Sequence, residues 1–339
     1  DPLHVAIQEA HKLGLELHAW FCVFPEEGEN HGLLWERPDL AMVDIDGNRV
    51  AWACPAKQDA RDYELSLILE CATKYAVDGI HLDYIRYPHS RVCYCDHCRL
   101  EFSAQYGFDP GAKPDDPRWI SWKIAQISSF VNETYTKIKQ IKPQIKVSAA
   151  VFRGIESAKS GVYQDWGDWI EKGSLDFVAP MIYTPSVEEF RASIDAIVKT
   201  VQWKCPVYAG IGLHKLTKAT TLLEQVEASK CWGVQGQILF CCHWLNEEFT
   251  EALNREPYSE PATVPHQNTE TKNLALAQGQ ARHEATTYMF EKANQELARV
   301  KGNFQRTSSI LEVWAIAATL CTIYFILGHF VGKRRKEFQ

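Results

Sequence analysis

KVSAAVF (146–152), FVAPMIY (177–183), PVYAGI (206–211) and QILFCC (237–242) are four apolar runs in one stretch, and they begin 31, 29 and 31 residues apart. Each run is short and is followed by a segment of helical period, such as Val187 to Val201 or Thr217 to Trp232. Each therefore reads as a strand feeding a helix. About thirty residues is the length of one βα unit, and repeating such units lays parallel strands side by side. Leu15 to Phe21 and Gly79 to Ile85 extend the pattern upstream to six strands. No GxGxxG or GxxxxGK(S/T) turn follows any of them, which weakens a doubly wound nucleotide-binding sheet. The expectation is an α/β TIM (β/α)8-type barrel.

Eight strands are needed and six are present. The chain opens Asp1-Pro2-Leu3 with neither Met nor a basic-then-apolar leader, so it reads as processed or incomplete, the six strands being strands three to eight. Two connections are long: 25–55, with a hairpin around Asp46-Gly47, and 87–121, rich in cysteine. Insertions of this kind follow the C-terminal ends of strands, where barrel enzymes build their sites.

Composition narrows the function. With 46% apolar and 23% charged residues in 339, wholesale disorder is excluded. The 36 basic and 43 acidic residues, net −7, lack the cationic excess that binds phosphate backbones, so no nucleic-acid partner is expected. Aromatics make up 12%, with eleven Trp, which suits surfaces that stack on sugar rings.

Beyond the barrel at 1–254, residues 255–269 read as a Pro-rich linker (REPYSEPATVPHQ). Over 270–309, Ala277, Ala281, Ala285, Tyr288, Ala293, Leu297, Val300 and Phe304 fall on one helical face. This is either a stalk that self-associates or a helix lying on the domain. Residues 310–331 are mostly apolar, with one acid, Glu312, and one His at 329, and Lys333-Arg334-Arg335-Lys336 follows at once. The expectation is a transmembrane helix through a lipid bilayer, a cytoplasmic tail at 332–339 and a single-pass protein of the cell membrane with its barrel outside.

The sharpest chemical feature is DGIHLDYIRYP (78–88). Period-two alternation puts His81 and Asp83 on one face, with Asp83 near the strand's C-terminal end. Asp83 is a candidate nucleophile or base, with Arg86 lowering its pKa and holding it ionised; the alternative is a structural Asp-Arg pair. Other strand ends offer Trp20 and Trp244 as sugar platforms, Tyr183, His18, His81 and His243 as hydrogen-bond donors, and Arg153 for an acidic substituent. Glycosidic cleavage normally uses two carboxyls. The second is read as Asp165, which alternatively caps the helix that follows it; Glu26, Glu27 and Glu156 are nearby.

In CYCDHC (93–98), Cys93, Cys95, His97 and Cys98 have the ligand types for zinc, and the CxxC at 95 and 98 has ordinary ligand spacing. For an exported domain the favoured reading is disulfide stapling of the loop, with Cys54 in the facing insertion as a partner. Neither GxSxG nor HExxH occurs.

Taken with Glu9-Ala10-His11-Lys12, Leu17-His18-Ala19-Trp20, Gln164-Asp165-Trp166 and FVAPMIY, these motifs resemble the glycosyl-hydrolase-like family 10 over residues 1 to about 250. The resemblance implies a TIM-barrel glycosidase-type domain, exported, acting on cell-wall glycan strands, with Asp83 as the acid of strand four. A fainter similarity to glycoside hydrolase family 18 (DGxDxDxE) fails at His81 and at Ile85, which stands where that family has its acid. The sequence thus points to a glycoside hydrolase acting on a polysaccharide. Its alternatives are a non-catalytic glycan-binding barrel and a zinc-dependent hydrolase.

Overall fold

The computed structural model describes residues 1–26, 31–255, 257–259 and 262–304. In chain order it runs α1 (Pro2–Lys12), β1 (His18–Cys22), α2 (Leu33–Glu36), β2 (Ala41–Val43), β3 (Arg49–Ala53), α3 (Gln58–Lys74), β4 (Gly79–Asp83), α4 (Asp96–Tyr106) and α5 (Pro117–Ile141). It continues β5 (Lys146–Phe152), α6 (Ile155–Val162), α7 (Trp166–Glu171), β6 (Phe177–Met181), α8 (Val187–Val201), β7 (Tyr208–Gly212), α9 (Ala219–Cys231), β8 (Gly236–Phe240), α10 (Glu247–Arg255) and α11 (Thr269–Phe304).

Six strands form one parallel sheet in the order β1-β4-β5-β6-β7-β8, and β2 and β3 form the expected hairpin. β5 and β7 are buried almost throughout, as parallel strands covered by helices must be. The outer layer follows from helical period: α8 buries Phe190, Ile194, Ile197, Val198 and Val201 along one face. α5 starts where Asp116 caps it and Pro117 supplies a preset first residue. The sheet curls far enough for Trp20 of β1 and Phe240 of β8 to meet edge to face at 6.4 Å. Its concave face is thus the inside of an open barrel.

The N-terminal end of this barrel is floored by the last residues of the Pro-rich stretch. His266 is buried, stacks on Phe177 at 4.7 Å, contacts the Tyr208 hydroxyl, and lies 2.9 Å from Glu16. α11 then lies on the barrel's outer helices. The Thr286 hydroxyl donates to the Cys231 carbonyl (2.7 Å), and His283 bonds Asp195 of α8 (3.0 Å). At Gly279 a methyl group would sit 2.3 Å from the Gly233 carbonyl oxygen, so two backbones touch where neither can carry a side chain. The buried face includes Leu276 and Gly279, whereas Ala277, Ala281 and Tyr288 are exposed. Of the expected face Val300 is buried, whereas nearer the start of α11 the contact is made by Leu276, Gly279 and polar groups instead of the alanines.

One expectation is withdrawn. Among the described residues no helix is long and apolar enough to cross a membrane; α11, the longest, carries Lys272, Arg282, Glu284, Glu291, Lys292, Glu296 and Arg299 along its length. The expected transmembrane helix at 310–331, like the tail at 332–339, lies outside the described residues. The membrane-spanning architecture and the single-pass cell-membrane location are therefore not supported.

Candidate active site

Strand alternation aims Asp83. In β4, Ile80 and Leu82 are buried toward the helices, while His81 and Asp83 take the opposite face. Asp83 is the strand's last residue, in register with Cys22 at the end of β1, and so lies at the C-terminal mouth. Its Oδ1 accepts the Tyr84 backbone N–H at 2.6 Å and its Oδ2 accepts the Trp20 indole N–H at 3.1 Å. Tyr84 adopts a left-handed φ of 51°, a conformation that costs a side-chain-bearing residue about 1–2 kcal/mol and that the Asp83 carboxylate helps to hold.

Burial pushes the Asp83 carboxyl above the usual aspartate range, and the N–H groups of Tyr84 and Trp20 together with the Arg86 charge pull it back only in part. Arg86 thus acts in the expected direction but is outweighed by desolvation. Its guanidinium lies over three rings, Phe152 at 4.9 Å, Tyr84 at 5.0 Å and Trp52 at 5.4 Å, and it donates to the Tyr87 carbonyl at 3.2 Å. Trp52 arrives from β3, near the open end of the β2–β3 hairpin; the sequence signalled the hairpin but not that this residue packs over Arg86.

The far wall is aromatic. Tyr183 stacks on Phe240 (5.5 Å, 13°) and meets His214 edge-on at 5.5 Å; Trp244 lies 6.4 Å from His214. Burial, with a contribution from the Asp83 charge, raises the Tyr183 phenol, so the two groups share one electrostatic environment. Trp20 and Trp244 are 57% and 49% exposed, enough ring to offer a ligand. His243 packs edge-on against Trp244 at 5.3 Å.

The remaining expected residues are elsewhere. His18 begins β1 instead of ending it, and it sits on the barrel floor, where Glu16 Oε2 bonds both His18 (3.0 Å) and His266 (2.9 Å). His81 bonds the Ser148 hydroxyl at 2.8 Å inside the barrel, and burial lowers it to about 4, neutral at physiological pH. Arg153 is paired with Glu189 of α8. Asp165 caps α7, accepting the Asp168 N–H at 3.3 Å, and pairs with Lys159 at 3.3 Å, so both its oxygens are engaged.

Glu26 faces another acid that the sequence did not mark. Glu64 of α3 is 5% exposed; burial, the Glu26 charge and a hydrogen bond with Glu26 raise its carboxyl to about 9. A raised carboxyl holds its proton in the folded state, so its contribution to stability is full below about pH 4.5 and is lost as pH rises toward about 9. Glu64→Gln is expected to stabilise the protein near neutral pH, by on the order of 3 kcal/mol, and to flatten the fall in melting temperature across that window. An unchanged pH slope in thermal unfolding would contradict this assignment.

The long insertions meet over a cysteine cluster. Cys54, Cys93, Cys95 and Cys98 are all buried, with their sulfurs within 4.8 Å of one another. Cys54 Sγ lies 3.4 Å and Cys95 Sγ 3.5 Å from Cys98 Sγ, well beyond the roughly 2.05 Å of a disulfide, and every described cysteine is free. The expected disulfides are not formed. His97 turns away to the Ala56 carbonyl at 3.0 Å, so the fourth group with the three loop thiols is Cys54.

Similar folds occur among solved glycoside hydrolases. The PgaB (BpsB) glycoside hydrolase domain from Bordetella bronchiseptica aligns at TM-score 0.59 with 15% identity, over 74% of this chain and 77% of that one. The catalytic domain of β-amylase from Paenibacillus polymyxa aligns at 0.54 with 12% identity, over 76% and 85%. At such identities the likeness shows the barrel fold alone. Glycosyl hydrolase YngK of Bacillus subtilis is 27% identical over 91% of this chain and 69% of its own length. Glycosyl hydrolase DigH of Escherichia coli is 27% identical over 64% of this chain and 54% of its own, so the chain spans about half of that relative. The glycosyl hydrolase-like 10 family model matches residues 1–222, well over half of the sequence, and the chain belongs to that family.

Proposed function

We propose that this chain is a glycoside hydrolase acting on polysaccharide strands, cell-wall glycan among them, with Asp83 as its general acid. The observation that carries this reading is a half-buried carboxyl at a strand's C-terminal end, raised by desolvation and flanked by the exposed rings of Trp20 and Trp244. Burial raises the Asp83 carboxyl, so it holds a proton more readily than an ordinary aspartate, as donation to a glycosidic oxygen requires. The Tyr84 and Trp20 N–H groups and Arg86 then stabilise the carboxylate left behind. The same donors thus favour the charge that develops as the leaving group departs. Trp20 and Trp244 supply faces for sugar rings.

The role of Asp83 predicts the alkaline limb of the pH profile. Trp20→Phe removes a donor that lowers the Asp83 carboxyl, so the limb of kcat/KM should move to higher pH by about half a unit to one unit, one hydrogen bond's worth. The measurement is the pH dependence of kcat/KM on a soluble oligosaccharide; a limb that stays in place rejects Asp83 as the titrating acid.

A second reading is a glycan-binding barrel without hydrolysis. It is favoured by one observation: among the described residues, no second carboxylate contributes to the electrostatic environment that shifts Asp83. Binding of glycan by the wild-type chain with no release of reducing ends would select it.

A further inference from the structure

We propose that Cys54, Cys93, Cys95 and Cys98 hold a structural zinc ion that clamps the two long insertions over the barrel mouth. The inference is independent of the reaction assigned to Asp83. Four sulfurs around zinc at about 2.3 Å stand roughly 3.8 Å from one another. The cluster, with two separations of 3.4 and 3.5 Å and all four sulfurs within 4.8 Å, is already near that tetrahedron. An all-sulfur set is soft, which selects zinc over magnesium or calcium. Four protein ligands also leave no open position for water, which marks a structural site and not a hydrolytic one.

The surroundings suit a buried anionic centre. The Val43 backbone N–H points at Cys93 Sγ at 3.5 Å. Cys95 is the N-cap residue of the 11-residue α4, where the helix dipole favours a thiolate. The fully buried Lys123 is anchored by the Val92 carbonyl at 3.2 Å; burial lowers its ammonium to about 7, while negative charge at Cys93 and Cys98 acts the other way and favours its cationic form beside the cluster. The buried Tyr87 hydroxyl has no hydrogen-bond partner yet interacts electrostatically with all four cysteines. A thiolate sulfur is an acceptor it can use, whereas neutral thiols are poor ones.

The clamp also has a place in the site's architecture. Cys54 lies two residues after Trp52, which covers Arg86; Cys93 and Cys95 lie on the segment that leaves Asp83 and Arg86 for α4, and Cys98 lies in the first turn of α4. Zinc would fix the hairpin against that segment and so hold Trp52 over the guanidinium.

The test uses the full chain, produced with zinc in the medium and purified under reducing conditions without chelator. Elemental analysis should give one zinc per chain, released when a mercurial reagent titrates the thiols. Replacement by cobalt should give the intense sulfur-to-metal charge-transfer absorption of a tetrahedral thiolate site. Cys95→Ser should lose the metal, whereas Cys205→Ser, a buried thiol outside the cluster, should keep it. Because Cys95→Ser can also fail by misfolding, the cobalt spectrum of the wild-type chain decides. Metal-free protein that binds neither zinc nor cobalt, a disulfide found after alkylation without reduction, or stoichiometric iron that zinc does not replace would each overturn the proposal.

Discussion

Asp83→Asn is expected to lower kcat for glycan hydrolysis roughly a thousandfold, with KM little changed, the loss that follows removal of a general acid. The substitution is nearly isosteric. The amide oxygen of Asn can still accept the Tyr84 N–H that holds the left-handed turn at φ 51°, so the strand end keeps its shape. What disappears is the proton and the developing charge that Trp20 and Arg86 stabilise. Sugar stacking on Trp20 and Trp244 is untouched, which is why the loss belongs in kcat. Steady-state kinetics on soluble oligosaccharides checks it: equal kcat in variant and wild type would remove Asp83 from the chemistry, and a change confined to KM would make it a binding residue.

Gly79→Ala is expected to destabilise the fold by about 3 kcal/mol, at the upper end of overpacking costs. A methyl group there would lie 2.0 Å from His18 Nδ1, 2.4 Å from Cε1 and 2.5 Å from Cγ. The ring has little room to retreat, since it bonds Glu16 at 3.0 Å and packs on Phe177 at 5.6 Å. The neighbouring Asp78 adds to the constraint: its carboxylate accepts the Leu17 N–H at 2.7 Å and contacts His11 at 2.9 Å, tying the start of β4 to α1 and β1. The double variant His18→Ala/Gly79→Ala should therefore lose less than the sum of the single variants, because the clash is gone. Urea unfolding midpoints measure this; additive losses would mean that the strain lies elsewhere.

Much of the architecture was legible because a βα unit has a fixed length and parallel strands are continuous apolar runs. Lys146–Phe152 forms with the limits read from the sequence, and the other five strands fall within or beside their runs. Asp83 was legible for the same reason, since alternation and position at a strand end follow from the run itself. His18 was misplaced because β1 starts three residues later than the apolar run does, and a shift of that size moves a residue from the mouth to the floor. Asp165 looked the same as cap and as catalyst, because helix N-caps and active-site acids both follow strands. Trp52 and Glu64 depend on how distant insertions fold over each other, for which spacing within one segment holds no signal, whereas Cys54 was expected to meet the 93–98 loop and does so, through free thiols. The preference for disulfides rested on an assumed compartment, not on geometry, and the sulfur separations overturned it.

The most direct test of the central claim is the release of new reducing ends from peptidoglycan-derived and plain polysaccharide strands by the wild-type chain and by Asp83→Asn, with binding to the same strands measured in parallel. The account predicts reducing ends from the wild type, a near-complete loss in the variant, and binding retained by both. Cleavage by Asp83→Asn at the wild-type rate, or binding without cleavage by the wild type, would contradict it.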